Sequence, residues 1–267
     1  MSENFVALIT GASSGIGEAT ARRVAREPGA RLVLVARRRE RLDGLAAELG
    51  GGLVIAGDLT RPETLAEILA RVQEEHGRLD LLVNNAGAAW RGTFSDTGWA
   101  NVHRHMQLNF EAPVRLVEAL LPLLRATAAQ RPGRRVSIVN VASTAGRVAR
   151  PRSGAYSASK FALAGWSDAL AAEEAKHGIH VGLVLPGFVR TEGFPADELR
   201  AKAATRWLVS EVDGVAEAIM QAGPGGKPER YVPRFYWLAA AARVLAPALV
   251  RRAVAGGALT TKTGSGE

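Results

Sequence analysis

Thr10-Gly11-Ala12-Ser13-Ser14-Gly15-Ile16-Gly17 follows directly on the apolar run Phe5-Val6-Ala7-Leu8-Ile9, and the reading of this stretch decides the fold. A short apolar run closed by a glycine-rich turn reads as a buried strand. The stretch from Glu18 to Glu27, broken by Pro28-Gly29, reads as the helix that follows. Strand, glycine-rich turn and helix in that order make a dinucleotide site, with the pyrophosphate at the helix N-terminus. Gly11 permits the tight turn, Gly15 lets the pyrophosphate approach, and Gly17 lets helix and strand pack closely. The spacing is G-x-x-x-G-x-G, one residue different from the more usual G-x-G-x-x-G.

The alternation continues outward from this unit. Arg31–Ala36, Leu53–Ala56, Asp80–Val83, Val136–Val141, Ile179–Leu185 and Arg230–Val232 read as further strands, so the count reaches seven. Strands that alternate with helices predict a doubly wound α/β architecture: a mainly parallel seven-stranded sheet with helices on both faces. A long helical region runs from about Asp96 to Ala128, with interruptions expected near Pro113 and Pro122. Glu192 to Trp207 reads as a helical lid or a fixed surface hairpin, Glu211–Gln221 as a helix, and Arg234–Val254 as an apolar helical segment interrupted by Pro247 and edged by Arg243, Arg251 and Arg252. Residues 1–233 are therefore expected to form one nucleotide-binding and catalytic domain, 234–255 an apolar extension of it, and 256–267 a disordered tail.

The end of the second strand bears on the choice of nicotinamide nucleotide. An acidic residue there would hold a ribose 2′-hydroxyl, whereas an arginine accommodates a 2′-phosphate. Ala36 is followed by Arg37, Arg38 and Arg39, with no acid before Glu40. NADP(H) is expected in preference to NAD(H), with Arg37 as the main phosphate contact, Arg38 assisting and Arg39 facing solvent. Asp58, beyond the third strand, is placed to reach the adenine amino group or to cap the turn before Pro62. Asn84-Asn85-Ala86-Gly87 leaves the fourth strand with small residues that can lie against a cofactor, and with amides that can tie strands together.

Tyr156-Ser157-Ala158-Ser159-Lys160 carries the chemistry. A tyrosine and a lysine four residues apart on a helix share one face. A phenol titrates near ~10, and a neighbouring ammonium favours the phenolate, as an acid–base group working near neutral pH requires. Ser143, after the strand Val136–Val141, can hydrogen-bond a substrate oxygen beside Tyr156. Asn109 falls mid-helix, where a buried amide must be bonded, either as a satisfied core group or as part of a polar relay.

Composition narrows the remaining classes. The chain has 267 residues, 47% apolar, enough for one substantial core. It has no cysteine, which excludes disulfides, thiolate zinc sites and cysteine nucleophiles. His103 and His105 are two apart, which separates them on a helix, and no metal site is expected. Five of the 34 basic residues are lysine, leaving 29 arginines spread over the predicted helices; the net charge of +8 reads as a solvated basic surface, with no nucleic-acid partner. Met1–Phe5 has no charged and apolar leader pattern, and no apolar run reaches the ~20 residues that span a bilayer. A cytoplasmic location is expected, and the arginine-edged C-terminal segment reads as a weak membrane-surface contact, a wall of an apolar substrate pocket or a subunit interface.

In combination these motifs resemble those of the short-chain dehydrogenase/reductases of the common single-domain type, over residues 5 to about 233. Thr10–Gly17 matches that family's cofactor turn and Asn84–Gly87 its NNAG segment. Asn109, Ser143, Tyr156 and Lys160 match its catalytic tetrad in order and spacing, and Pro186, Gly187 and Thr191 the segment that holds the nicotinamide carboxamide. Ala142 departs from the pattern, since many members carry a second serine there. The resemblance implies a Rossmann fold, hydride transfer between NADP(H) and a small carbonyl or alcohol substrate, and assembly as a homodimer or homotetramer. It implies that Tyr156 is the proton donor and acceptor, Lys160 lowers its pKa and holds the nicotinamide ribose, Ser143 orients the substrate oxygen, and Asn109 holds a water. The implied cofactor contacts are Gly11, Ser13, Ser14, Gly15, Ile16, Gly17, Arg37, Arg38, Asp58, Leu59, Asn85, Ala86, Gly87, Tyr156, Lys160, Pro186, Gly187, Val189 and Thr191. Trp90, Phe94, Phe188, Phe194 and Trp207 are expected near the mouth, favouring an apolar substrate. The rival reading keeps the fold and removes the chemistry: a non-catalytic NADP(H) sensor or interaction protein.

Overall fold

The structure is a computed structural model that describes residues 4–131, 133–192 and 206–255. The first half runs β1 (Phe5–Thr10), α1 (Gly15–Val24), β2 (Ala30–Ala36), α2 (Arg39–Glu48), β3 (Leu53–Ala56), α3 (Pro62–Glu75) and β4 (Leu81–Asn84). Next come α4 (Phe94–Met106), a π turn (Gln107–Glu111), α5 (Ala112–Gln130), β5 (Val136–Val141) and α6 (Gly154–Glu174). The chain continues with β6 (Ile179–Pro186), β7 (Phe188–Val189), β8 (Val209–Ser210), α7 (Val212–Ala222), β9 (Glu229–Val232), α8 (Trp237–Leu245) and α9 (Pro247–Ala255).

Seven strands form one sheet in the order β3-β2-β1-β4-β5-β6-β9, and every pairing is parallel. Alternate residues of β1 face opposite sides. Val6 and Leu8 join Ile68, Val72, Leu116, Leu120 and Leu124 from α3 and α5. Ala7 and Ile9 join Val24, Leu42, Val215 and Ile219 from α1, α2 and α7. Helices thus cover both faces, each fully buried Leu or Ile contributing about 1.5–3 kcal/mol. The strand order reverses between β1 and β4, and the crevice outside their carboxyl ends is where such sheets bind ligands.

Several boundaries differ from the sequence reading, each for a physical reason. Helix α1 begins at Gly15 instead of Glu18, because the Glu18 amide already donates to the Ser14 carbonyl at 3.4 Å. Asp80 precedes β4 instead of opening it. Its buried carboxylate accepts the Val6 amide at 2.9 Å, Arg78 at 2.6 Å and Arg131 at 3.0 Å, closing the amino end of the sheet. The long helix changes character at the π turn just before Pro113 but runs on through Pro122. The expected lid and tail fall mostly on 193–205 and 256–267, outside the described residues.

Candidate active site

The glycine turn after β1 is held from β4. Thr10 Oγ1 donates to the Val83 carbonyl at 3.1 Å and accepts the amides of Asn85 and Ala86 at 2.9 and 3.0 Å; Asn85 Nδ2 donates to the Thr10 carbonyl at 2.9 Å. Gly11 needs its φ of 67°, and an added Cβ would stand 2.9 Å from Asn85 Nδ2. Across the crevice, a Cβ on Gly15 would lie 3.2 Å from Thr191 Cγ2, so this turn and the segment after β6 form facing walls. Ile16 is half-buried on the first wall; Val189 is buried on the second. A wall of this kind, with a helix N-terminus behind it, fits the pyrophosphate of a dinucleotide.

The three arginines after β2 divide the work. Arg38 donates to Ser13 Oγ through Nε and Nη2, at 3.2 and 3.0 Å, and to Ser14 Oγ at 2.6 Å. Its Nη1 meets Glu192 at 3.1 Å, and Arg41 meets the same carboxylate at 2.5 Å. Arg37 is exposed beside Asp58, and Arg39 opens α2 facing solvent. Asp58 Oδ1 accepts the Thr60 amide at 2.9 Å and its hydroxyl at 2.8 Å. Those bonds, with the charges of Arg37 and Arg61, hold its carboxyl below the usual range. The observed bonds are those of a turn, with Leu59 buried beneath.

The four residues of the chemical motif come together at the carboxyl ends of β4 and β5. Ser143 Oγ accepts the Ala145 amide at 3.1 Å and donates to the Pro186 carbonyl at 3.3 Å. Tyr156 is half-buried at the head of α6. Burial pushes its phenol up, while the Ser143 hydroxyl and then the guanidiniums of Arg150 and Arg91 act in the opposite direction. Lys160 is buried, donates to the Val141 carbonyl at 2.8 Å, and lies 6.0 Å from the Tyr156 ring centroid. Burial alone pulls its ammonium down to about 8. Asn109 sits in the π turn, donating to the Ala88 carbonyl at 3.0 Å and Ser159 Oγ at 3.1 Å, and accepting the Ala88 amide at 3.0 Å. Gly87 completes the group: a Cβ there would lie 3.0 Å from Asn109 Oδ1 and 3.5 Å from Lys160 Nζ. At Gly187, a Cβ would collide with the Tyr236 ring, so a larger residue there would displace that ring.

Sequence reading missed several supporting groups. His105 is fully buried; its Nε2 accepts the Trp90 amide at 3.0 Å and its Nδ1 meets the Asn101 carbonyl at 2.7 Å. Those partners require a neutral ring protonated at Nδ1, and burial lowers its pKa accordingly. Its ring lies 6.1 Å from that of Tyr156, edge to face. The amides expected to tie strands together include Asn84, which does so; the missed members are Asn140 and Ser167, which continue a buried chain at 2.8 Å per link from β4 and β5 to α6. The aromatic residues expected at the mouth divide differently. Trp90 packs on His105 with Arg104 over its ring at 4.5 Å, Phe188 is buried beneath Arg150, Trp207 packs at a tilt against Phe235, and Phe94 is exposed. Phe194 lies outside the described residues.

A doubly wound parallel sheet with a glycine-rich turn at the end of β1, and with Ser143, Tyr156 and Lys160 grouped at its carboxyl edge, is of the nucleotide-binding α/β class. Comparison with known proteins agrees. The family model described as short chain dehydrogenase matches residues 5–200, and the chain belongs to that family. Dehydrogenase/reductase SDR family member 7B of Mus musculus is 37% identical over 196 residues, taking in 70% of this chain and 58% of that protein. The chain therefore spans about three fifths of that relative's length. A short-chain dehydrogenase from Streptomyces avermitilis superposes with a TM-score of 0.78 at 30% identity, over 96% of this chain and 99% of that one. L-Sorbose reductase from Gluconobacter frateurii, solved with NADPH and L-sorbose, superposes with a TM-score of 0.74 at 29% identity, over 86% and 94%.

Proposed function

We propose that the chain interconverts a ketone or aldehyde and the corresponding alcohol with NADP(H), Tyr156 exchanging the proton. The observation that carries this reading is the convergence of Tyr156, Ser143 and buried Lys160 at the edge of the phosphate-binding crevice. NADP(H) would be held by the Gly11–Gly17 turn, Arg37 and Arg38, Asp58 and Leu59, the Asn85–Gly87 loop, Lys160, and Pro186 to Thr191. When bound it supplies or accepts a hydride. The Tyr156 hydroxyl protonates the carbonyl oxygen, or takes the alcohol's proton in the other direction. Ser143 donates to the same oxygen and stabilises charge that develops there. Lys160, cationic below about 8, favours the phenolate and restores the proton. Pro113 has no amide to donate to the Asn109 carbonyl one helical turn back, which supports a water held there as the next station. The arginines at the β2 end, and the NADPH complexed with the sorbose reductase, support NADP(H) over NAD(H). Tyr156→Phe should abolish carbonyl turnover while NADPH still binds; turnover near that of the parent removes Tyr156 from the mechanism. Tight cofactor binding with no turnover of any carbonyl compound would instead favour a nucleotide sensor.

We also propose a cytoplasmic homo-oligomer that rests on membrane surfaces. Phe161 on α6 is 40% exposed beside Ala158, Gly165 and Ala169, an outer face smooth enough for a second copy. Among the described residues no helix is long and apolar enough to cross a membrane. The α8–α9 segment leaves Trp237, Leu238, Val244, Leu245 and Leu249 exposed, and residues 234–255 contain four arginines and no acid. Such a face favours the interface of an anionic bilayer. Equal partition of the protein and a Trp237→Ala, Leu245→Glu variant onto anionic vesicles would end the membrane reading; a monomeric mass in solution would end the oligomer.

A further inference from the structure

Two arginines near the Tyr156 hydroxyl take no part in the proton and hydride transfers. Arg150 lies on the approach to α6, its carbonyl accepting the Ser153 hydroxyl at 3.0 Å and the Ser153 amide at 3.3 Å. That turn leads into the helix, where the Ser157 amide donates to the Ser153 carbonyl at 2.8 Å. The Arg150 guanidinium lies over the ring of Phe188, 4.7 Å from its centroid. Phe188 follows Gly187 at the carboxyl end of β6, so the stack bridges the two sides of the crevice at its substrate end. Arg91, on the loop after β4, reaches the same place: the Gly92 amide donates to the Arg152 carbonyl at 2.9 Å and zips this loop to the Arg150 turn. Both guanidiniums act on Tyr156, and Arg91 acts on Arg150.

Arg150 is half-buried, and among the described residues its guanidinium makes no ion pair and no hydrogen bond. Burial first, and then the positive charge of Arg91, pulls its pKa down. A guanidinium carries five donors in a planar fork that matches a carboxylate or phosphate. The Phe188 ring beneath its central carbon helps hold the guanidinium in place, and its donors have no acceptor among the described residues. The phosphates of a dinucleotide are provided for elsewhere, by the glycine turn and Arg38 at the ends of β1 and β2.

We propose that Arg150, assisted by Arg91, is an anion subsite beside the reacting oxygen, so that the substrate is a carbonyl compound, or its alcohol, that also bears a carboxylate or phosphate. The aromatic wall of Trp207, Phe235 and Tyr236 next to this subsite suits an apolar body between or beyond the two groups. The carbonyl requirement rests on the reductase reading; the anion requirement rests on Arg150 alone.

Two measurements separate those requirements. Octanoate, octyl phosphate and methyl octanoate are titrated calorimetrically into the NADP-loaded protein, into Arg150→Met, and into Arg150→Lys as a variant that keeps the charge. One of the two anions should bind about ten- to hundred-fold more tightly than the ester. The preference should vanish in Arg150→Met and shrink in Arg150→Lys, and the favoured anion identifies which acid the site takes. Turnover with NADPH is then compared for straight-chain oxo acids and their methyl esters, read as the acid-to-ester ratio of kcat/KM. A ratio well above one in the parent protein supports the subsite. Equal binding of anion and ester, an anion preference unchanged in Arg150→Met, or faster turnover of esters overturns it and leaves the reductase reading standing. Anion binding through Arg150 with no turnover of any carbonyl compound overturns the reductase reading and leaves the subsite.

Discussion

Replacing Arg38 by alanine should change which nicotinamide nucleotide the protein prefers, and replacing Arg37 should change it less. Arg38 is anchored to the glycine turn by the hydroxyls of Ser13 and Ser14 at 3.0 and 2.6 Å, which on the NADP(H) reading proposed above makes it the better held of the two phosphate contacts. Arg37 is exposed, with the Asp58 carboxylate as its neighbour. A hydrogen bond to a charged group contributes about 1.5–3 kcal/mol. Because the Arg38 side chain is 43% exposed, the lower end applies, and NADPH binding should weaken about tenfold. The variant also loses bonds that shape the turn, which weakens both nucleotides together. The informative quantity is therefore the ratio of the NADPH and NADH dissociation constants, followed by nicotinamide fluorescence in low and high salt. In the parent protein that ratio should favour NADPH, the more so at low salt; in Arg38→Ala the preference should fall about tenfold and lose its salt dependence. A ratio unmoved by either Arg38→Ala or Arg37→Ala would show that these arginines do not read the phosphate.

Other outcomes follow from the same contacts. Glu192→Gln removes the carboxylate that Arg38 and Arg41 share at 3.1 and 2.5 Å, so NADPH should bind about two- to fivefold more tightly, the scale of an exposed pair; unchanged affinity would mean Glu192 does not compete with the phosphate. Lys160 releases its proton near 8 in the folded chain against an ordinary lysine value of 10.5, so between those values the unfolded chain binds more protons and stability rises with pH. Above about 10 that rise is opposed by Tyr231 and Tyr236, both raised to about 12 by burial. Urea midpoints from pH 8 to 10 should climb in the parent and lie flat in Lys160→Met; equal slopes would sink the assignment. Asn140→Ala cuts both 2.8 Å links of the buried amide chain and should cost about 2 kcal/mol, lowering Tm by about 4–8 °C, whereas a change under about 1 °C would show the chain to be dispensable.

The sheet was legible because parallel strands buried on both faces are continuous apolar runs, and Ala7–Ile9, Leu32–Ala36 and Ile138–Val141 have little else in them. The ends of elements were less so. Asp80 reads as the polar start of a strand, but its role is set by Arg131, 51 positions later, and by the Val6 amide, 74 earlier. Pro122 reads as a helix breaker, but a single missing amide is tolerated where Leu120, Leu123 and Leu124 anchor the helix to the sheet. The π turn at Asn109 follows from the local deficit at Pro113 together with packing against α6, and only the first of these is written in the chain.

The site divides along the same line. Tyr156 and Lys160 share one helix and Gly11 to Gly17 one turn, so spacing alone brings them together. The groups around them come from loops: His105 supports Trp90 from 15 residues away, and Arg150 stacks on a phenylalanine 38 positions further on. No periodicity relates such pairs, because each loop is positioned by the strand that precedes it. This changes what the composition of the mouth means. Phe188 in isolation argues for an apolar substrate; Phe188 beneath a guanidinium that finds no acceptor among the described residues is the support for a charge. An aromatic residue that orients a cation and one that lines a greasy wall are the same letter in a sequence, and what separates them is the neighbour placed over the ring.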